Sequence, residues 1–591
     1  MLKRFITAML GSLAAIWISV ILLFILGILF IGVVISKSVT SQTVALTFKN
    51  NTILHIELNG AISERATNDD IFETLTGAAE ESIPLNDLIN AITAAADDEK
   101  IEGIFVECKG STAGLAQRLE LNNALEEFKK SGKWIVAYGD SYSQSDYYTA
   151  TSANEIYLNP VGIVDVHGLS ATTLFYKGFL EKVGVEMQII KVGTYKSAVE
   201  PYILDHASEA SKLQQEVFLN NIWNTLGNYI ANARGVSFET VNEWADSMLL
   251  TYSPAEYLEA KVVDKLAYRH EVLDMLKDKT GVEKDEDLRF ITPGDYVTVA
   301  EIPHAKRTKK RIAVLYAVGS IVDDGRGGIV ATKLVPEILK LKENDKIDGL
   351  ILRVNSGGGS AFASEQIWEA LEQFKSTNRP FYVSMSDYAA SGGYYISSGA
   401  DVIYAEPVTL TGSIGIFGMI PCVKELMNDK LGLTTDNVST NANGDFPTVM
   451  EPMTAFQRER MQREIDRGYE TFVSRCAQGR HLPVDSIKAI AEGRVWDGTS
   501  ALKIGLVDKL GSLSDAIHDM AQELGISDKY CIVEYPDPTP NFLEAIMGTE
   551  VSIKDKLMKE SLGSSYNVFK EIEYIKNASE IQCKMEYIEI Q

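Results

Sequence analysis

Residues 349–407 read GLILRVNSGGGSAFASEQIWEALEQFKSTNRPFYVSMSDYAASGGYYISSGADVIYAEP, and two patterns alternate along them. Short apolar runs at 349–354, 380–385 and 401–407 have the length and composition of strands. Residues 361–374 space their apolar side chains as a helix does, and a second helix begins near Ser391. Strands separated by helices of this length imply an α/β fold with helices packed over sheets.

Both turns in this stretch stand where chemistry is done. Ser391, in Asp387-Tyr-Ala-Ala-Ser391-Gly-Gly-Tyr394, lies between a strand and a helix. A hydroxyl there projects from a helix N-terminus, where free N–H groups and the helix dipole stabilise negative charge. The glycines after it admit a substrate backbone and leave the Gly392 N–H unhindered. By itself, a Ser-Gly-Gly turn reads first as a tight turn with a helix cap. The other turn, Asn355-Ser356-Gly357-Gly358-Gly359-Ser360, also follows a strand and opens a helix. It has neither the GxGxxG nor the GxxxxGK[ST] pattern, which argues against a nucleotide site. Its N–H groups serve either as an oxyanion hole or merely as a flexible turn.

The stretch has a counterpart earlier in the chain. Ile101-Glu-Gly-Ile-Phe-Val resembles Ile347-Asp-Gly-Leu-Ile-Leu, and Asp140, Tyr147 and Tyr148 match Asp387, Tyr394 and Tyr395 at a spacing of 247 residues. Val263-Asp264-Lys265-Leu266 repeats as Val507-Asp508-Lys509-Leu510, so the whole domain is duplicated, with a period far longer than a solenoid unit. The copies differ where chemistry is expected. Position 391 corresponds to Gln144, so the first copy lacks the serine turn. It carries instead Lys191-Val-Gly-Thr-Tyr195-Lys196-Ser197, whose counterpart near Asn443-Gly444-Asp445 has no lysine. Each half therefore holds one part of a possible dyad.

The organisation expected is a membrane anchor at 1–45, a first repeat at 46–300, a second at 301–540 and a tail at 541–591. The turn-rich and basic stretch 293–311 marks the join. Residues 5–36 carry no charge, and roughly 20 apolar residues suffice to cross a bilayer as a helix. That run is about twice the length of a signal-peptide core, so an uncleaved anchor is expected. Lys3 and Arg4 before it, against Lys37 after it, place the N-terminus inside and the remainder outside. The tail ends in the strand-like MEYIEI, residues 585–590, to which no chemistry is assigned.

A chain of 591 residues with 46% hydrophobic and 23% charged residues forms globular domains with large cores. Its net charge of -25 argues against nucleic acid as a partner, which requires clustered cations. Cys108, Cys422, Cys476, Cys531 and Cys583 form no CxxC pair and no metal-ligand spacing with the histidines, and their disulfide state is left open.

TYKSAVEPY (194–202), VNSGGGSAFASE (354–365), AASGGYYIS (389–397) and LTGSIGIFG (410–418), behind an apolar anchor and across a duplication, resemble the signal peptide peptidase A family in its double-domain form. The resemblance covers nearly all of the chain beyond the anchor. It implies tandem domains of the Clp protease and crotonase fold, endoproteolysis of signal-peptide remnants in the membrane, Ser391 as nucleophile and Lys196 as base. It also implies Ser413 as the residue orienting the lysine, and oxyanion donors from Gly392 and from Gly358 or Gly359. The family's ring assemblies imply a homotetramer, its location the outer face of a bacterial inner membrane, and its chemistry needs neither cofactor nor metal. One departure stands: the family reads Asn-Ser-Pro-Gly-Gly where this chain has Gly357, which is expected to loosen the turn.

A lysine near its usual pKa of about 10.4 is protonated at neutral pH and takes no proton from a serine. Burial in an apolar site is therefore expected to lower the pKa of Lys196 by roughly 3 units. The rival mechanism is a Ser-His-Asp triad drawing on His167, His206 or His304. The rival functions are an acyl-CoA enzyme using the same N–H pair on a thioester, and a non-catalytic membrane scaffold.

Overall fold

A computed structural model describes residues 48–66, 82–304, 308–325, 327–527, 529–536, 581–586 and 590. The expected anchor and most of the tail lie outside them. Among the described residues, no helix is long and apolar enough to cross a membrane.

The first half forms a parallel sheet from β1 (Thr52–Ser63), β2 (Ser82–Pro84), β3 (Ile101–Thr112), β4 (Trp134–Gly139) and β5 (Glu155–Leu158). The next strand, β6 (Glu186–Lys191), leaves this sheet, while β7 (Lys265–Leu266) and β8 (Arg289–Ile291) return to its edges, giving the order β2-β1-β3-β4-β5-β7 with β8 beside β1. The second half opens with β9 (Lys310–Val318), then the short β10 (Ile321–Val322) and β11 (Ile329–Val330), β12 (Gly349–Ser356), β13 (Gly358–Ser360) and β14 (Phe381–Ala390). After these come β15 (Val402–Ala405), β16 (Leu410–Gly412), β17 (Phe417–Cys422), β18 (Val495–Asp497), β19 (Lys509–Leu510) and β20 (Tyr530–Tyr535). Their main sheet runs β18-β16-β14-β12-β9-β20, parallel except for β18 against β16. A third sheet, β11-β10-β13-β21-β17-β6, joins the halves, where β21 (Ile581–Lys584) comes from the tail.

Local chemistry explains the elements. In β12 six consecutive residues from Gly349 are buried, as strands covered by helices on both faces require. The helix Ala361–Lys375 starts where the Ser360 hydroxyl accepts the Ala363 N–H, and it buries Ala363, Ile367, Leu371 and Phe374, one helical face. These pack with Leu350, Leu352, Val383 and Ile403 into one core. The first half packs Leu54, Ile104, Ile135 and Ile156 against Phe218, Ile222 and Trp244, and this core continues into Ala390, Leu410 and Val495 of the second half.

One expectation shifts. The strand expected at 380–385 continues to Ala390, because after leaving β15 it pairs with β16, setting Ala390 opposite Gly412. Its second part, SDYAA, has no strand pattern, so only the neighbour makes it one. In the tail, Ile581–Lys584 forms a strand on the edges that β13 and β17 supply, while residues 587–589 of the strand-like segment 585–590 lie outside the described residues.

Candidate active site

Ser391 ends β14 with φ +55° and ψ −114°, a conformation costly for a residue with a Cβ, roughly 1–3 kcal/mol. Hydrogen bonds hold it there: its N–H donates to Gly412 O at 2.7 Å, and its carbonyl accepts from Tyr395 N at 2.8 Å. The helix Gly392–Ser397 follows, and its glycines allow close packing. A Cβ on Gly393 would stand 2.5 Å from the Ser356 carbonyl oxygen.

Lys196 arrives from the other half. β6 pairs antiparallel with β17, Lys191 opposite Phe417 and Glu186 opposite Cys422, so the loop after Lys191 is delivered to the second half. Tyr195 N–H donates to Glu492 O at 2.9 Å, and Gln214 links this loop to β18, donating to Tyr195 O while its side-chain oxygen accepts from Val495 N. Lys196 is fully buried, with Nζ 2.7 Å from Ser391 Oγ, 3.1 Å from Ser413 Oγ and 3.2 Å from Ser413 O. Burial without a carboxylate partner pushes its pKa down to about 7. Ser413 also has a positive φ, +50°, and its N–H donates to Arg494 O. The expected Ser391, Lys196 and Ser413 are thus brought together from two halves.

The expected oxyanion residues lie beside them. Gly358, at φ +97°, donates its N–H to Ser356 Oγ, whereas Gly359 stands opposite Cys583 of β21 and Gly392 opens the helix after Ser391. Gly357, where proline was expected, lies in a loop that several contacts hold. Met585 N–H donates to Gly357 O at 2.7 Å, and Asn355 donates to Glu64 Oε1 at 2.9 Å and to Asp387 Oδ2 at 3.0 Å.

Beneath this loop lies a buried charged layer between the halves. Arg353 pairs with Glu64 at 2.8 Å and Glu120 at 2.7 Å. Asp387 accepts the Ala116 and Gln117 N–H groups and so caps the helix Leu115–Lys129, whose own N-cap, Gly114, has no side chain to do so. Burial raises Asp387 to about 6.

The first copy fills its corresponding turn with protein. The Asp146 carboxylate accepts from Gly110 N–H at 3.0 Å and Ser111 Oγ at 2.8 Å, and pairs with buried Arg118. The glycine turn is therefore met by a carboxylate of its own half in the first copy and by the tail strand β21 in the second.

The histidines of the rival triad are engaged elsewhere. His167 pairs with Asp165, exposed His206 with Asp205, and His304 stacks on Tyr530. His55, Glu57 and Glu107 lie close enough to share a metal, but Lys109 and Arg269 already neutralise the two carboxylates. All five cysteines are buried free thiols. Sequence reasoning missed Gly415 and Gly493, which make room for the lysine: a Cβ on Gly493 would stand 2.7 Å from Lys196 Cβ, and one on Gly415 3.2 Å from its Cδ. Single glycines in polar loops carry no spacing that reveals such contacts.

A sequence model of peptidase family S49 matches residues 127–283 and 373–527, one segment in each half. Protease 4 of Salmonella typhi is 32% identical over 90% of this chain and 83% of its own length. Protease 4 of Haemophilus influenzae is 32% identical over 78% of each chain, and the chloroplastic serine protease SPPA of Arabidopsis thaliana 31% over 78% of this chain and 68% of its own. A solved ClpP1 mutant from Listeria monocytogenes aligns with 34% of this chain and 94% of its own at 16% identity, with a TM-score of 0.24, too low to bear on the fold. Fold and site together define a serine peptidase. The chain belongs to peptidase family S49, with the family's domain present twice.

Proposed function

We propose that this peptidase works through a Ser391–Lys196 dyad divided between its halves and degrades cleaved signal peptides at a membrane. The observation that carries the reading is the 2.7 Å separation of Lys196 Nζ and Ser391 Oγ in a site closed to water. With its pKa lowered to about 7, the amine is substantially neutral at physiological pH. A neutral amine has two N–H donors and one lone pair. Ser413 Oγ and Ser413 O accept the two hydrogens, and the lone pair accepts the Ser391 hydroxyl. Lys196 then takes the proton as Ser391 Oγ attacks the peptide carbonyl. The Gly392 and Gly359 N–H groups hold the oxyanion. Lys196 returns the proton to the leaving amine, and water, deprotonated by the same lysine, releases the acyl group from Ser391.

The substrate class rests on the family and on an Enterococcus faecium relative provisionally named as a signal peptide peptidase, SppA, 30% identical over 42% of this chain. In the same reading, residues 1–45 anchor the chain in a bacterial inner membrane. Residues 46–300 carry the base and 301–540 the nucleophile, each as a Clp/crotonase-type unit on the outer face, and four chains assemble. Membership of a peptidase family, with serine and lysine in place, favours this reading over the acyl-CoA enzyme and the scaffold. The test is cleavage of an internally quenched signal-peptide-like substrate by wild type, Ser391→Ala and Lys196→Ala. Loss of activity in both folded variants supports the dyad, and activity surviving Lys196→Ala overturns it.

A further inference from the structure

The tail strand β21 has a position that the dyad alone does not explain. In the sheet that joins the halves, β13 and β17 meet only through β21. It runs antiparallel to both, setting Gly358, Gly359 and Ser360 opposite Lys584, Cys583 and Gln582, and Phe417 and Gly418 opposite Gln582 and Ile581. One partner strand carries the glycines of the oxyanion loop. The other pairs with β6, which delivers Lys196. Take β21 away and two strand edges face each other across a slot one strand wide, the geometry in which an extended peptide binds by completing a sheet.

Cys583 lies at the centre of this slot. It is fully buried, and its carbonyl oxygen lies against both candidate oxyanion elements: a Cβ on Gly358 would stand 2.1 Å from it, and one on Gly392 3.1 Å. The Met585 N–H bond to Gly357 sets the ladder, and its alternation turns the Gly359 and Cys583 backbones towards each other. Beyond it, Glu586 hydrogen-bonds Thr173 and Ser197, the neighbour of the lysine, and Ile590 bridges to Ala171.

We propose that residues 581–586 occupy the place of a peptide substrate, so that the chain occludes its own cleft, and that the position beside the dyad accepts a small side chain such as that of Cys583. The proposal rests on the dyad reading for its catalytic meaning, though occupancy of the slot is measurable without catalysis. Because the strand is tethered to the same chain, its effective concentration is on the order of mM, and modest intrinsic affinity suffices to keep the slot filled.

The test compares the full chain, full-length Cys583→Arg and a chain ending at Glu580, each checked for folding by circular dichroism. On a dilute quenched peptide with a small residue at the scissile position, both variants are expected to be at least about tenfold faster than wild type. A fluorescent peptide of residues 578–591 is expected to bind the shortened chain saturably, to be displaced by substrate, and to bind the full chain weakly. The same peptide with Cys583→Arg is expected not to bind. A shortened chain no faster than wild type, or one whose activity the added peptide restores, overturns the proposal, since the strand would then complete the site rather than block it. Binding is read again in the shortened chain carrying Ser391→Ala. If no form cleaves but the labelled peptide still binds only the shortened chain, the dyad reading fails and the occlusion stands. Equal binding to full and shortened chains, or none, sinks the occlusion by itself.

Discussion

Gly493 faces the backbone of Lys196 so closely that a methyl group on its α-carbon would stand 2.8 Å from Lys196 Cα and 2.7 Å from its Cβ. The loop before β18 is thus a wall of the lysine's site. Gly493→Ala is expected to displace Lys196 and lower kcat by about 100-fold with little change in KM, as a misplacement of about 1 Å does. Gly493 has φ +78°, so backbone strain must be separated from displacement. Gly505→Ala is the control: its φ is +81°, but a Cβ there meets nothing closer than 3.5 Å. It should lose stability and keep activity. Equal loss of activity in both variants would remove the specific role of Gly493.

The lowered pKa of Lys196 sets the direction of the pH profile. The base form is the neutral amine, so kcat should be small below pH 7, rise through about 7 and level off above it. Lys196→Arg keeps its proton throughout and should be inactive at every pH. A profile without an acid limb near 7 would assign the base to another group.

The same shift makes Lys196 a cost to folding. The unfolded lysine titrates near 10.4 and the folded one near 7, so the folded state binds fewer protons between those values. The cost is absent above about pH 10.4, grows as pH falls, and is complete below about 7. Lys196→Met, similar in length and uncharged, is expected to stabilise the chain by up to about 4 kcal/mol at pH 7, with no gain near pH 10.5. Denaturant unfolding at pH 7, 9 and 10.5 measures this. A gain independent of pH would mean packing rather than charge.

Asp387 serves two masters, capping the helix Leu115–Lys129 of the other half and holding Asn355 at the base of the glycine loop. Asp387→Ala should lose both, costing about 1–2 kcal/mol of stability together with activity. Asp387→Asn keeps an acceptor for the helix amides but turns an amide N–H₂ towards the donor of Asn355. Its stability should change little while kcat falls about tenfold, the worth of one hydrogen bond. Paired measurement of melting and kcat separates the two roles.

Much of this was legible in residue order. Apolar runs and helical spacing marked the elements around Ser391, and the 247-residue repeat showed which half had lost its serine turn and which its lysine. What the pattern lacked was partners. SDYAA became strand only against β16, and Ile581–Lys584 became strand between the edges of β13 and β17. The cap that Asp387 places on a helix 270 residues away has no trace in either local sequence.

The amino-acid sequence by itself determined the α/β class, the duplication and the two residue types of the proposed dyad, because these depend on local periodicity and on what each copy kept or lost. Only the tertiary structure decided that Lys196 Nζ and Ser391 Oγ, 195 positions apart in the chain, stand 2.7 Å apart, that glycines 415 and 493 make room for the lysine, and that Cys583 fills the slot beside them. Those relations are set by strand pairing and burial between distant segments, and no local pattern encodes which edges will meet.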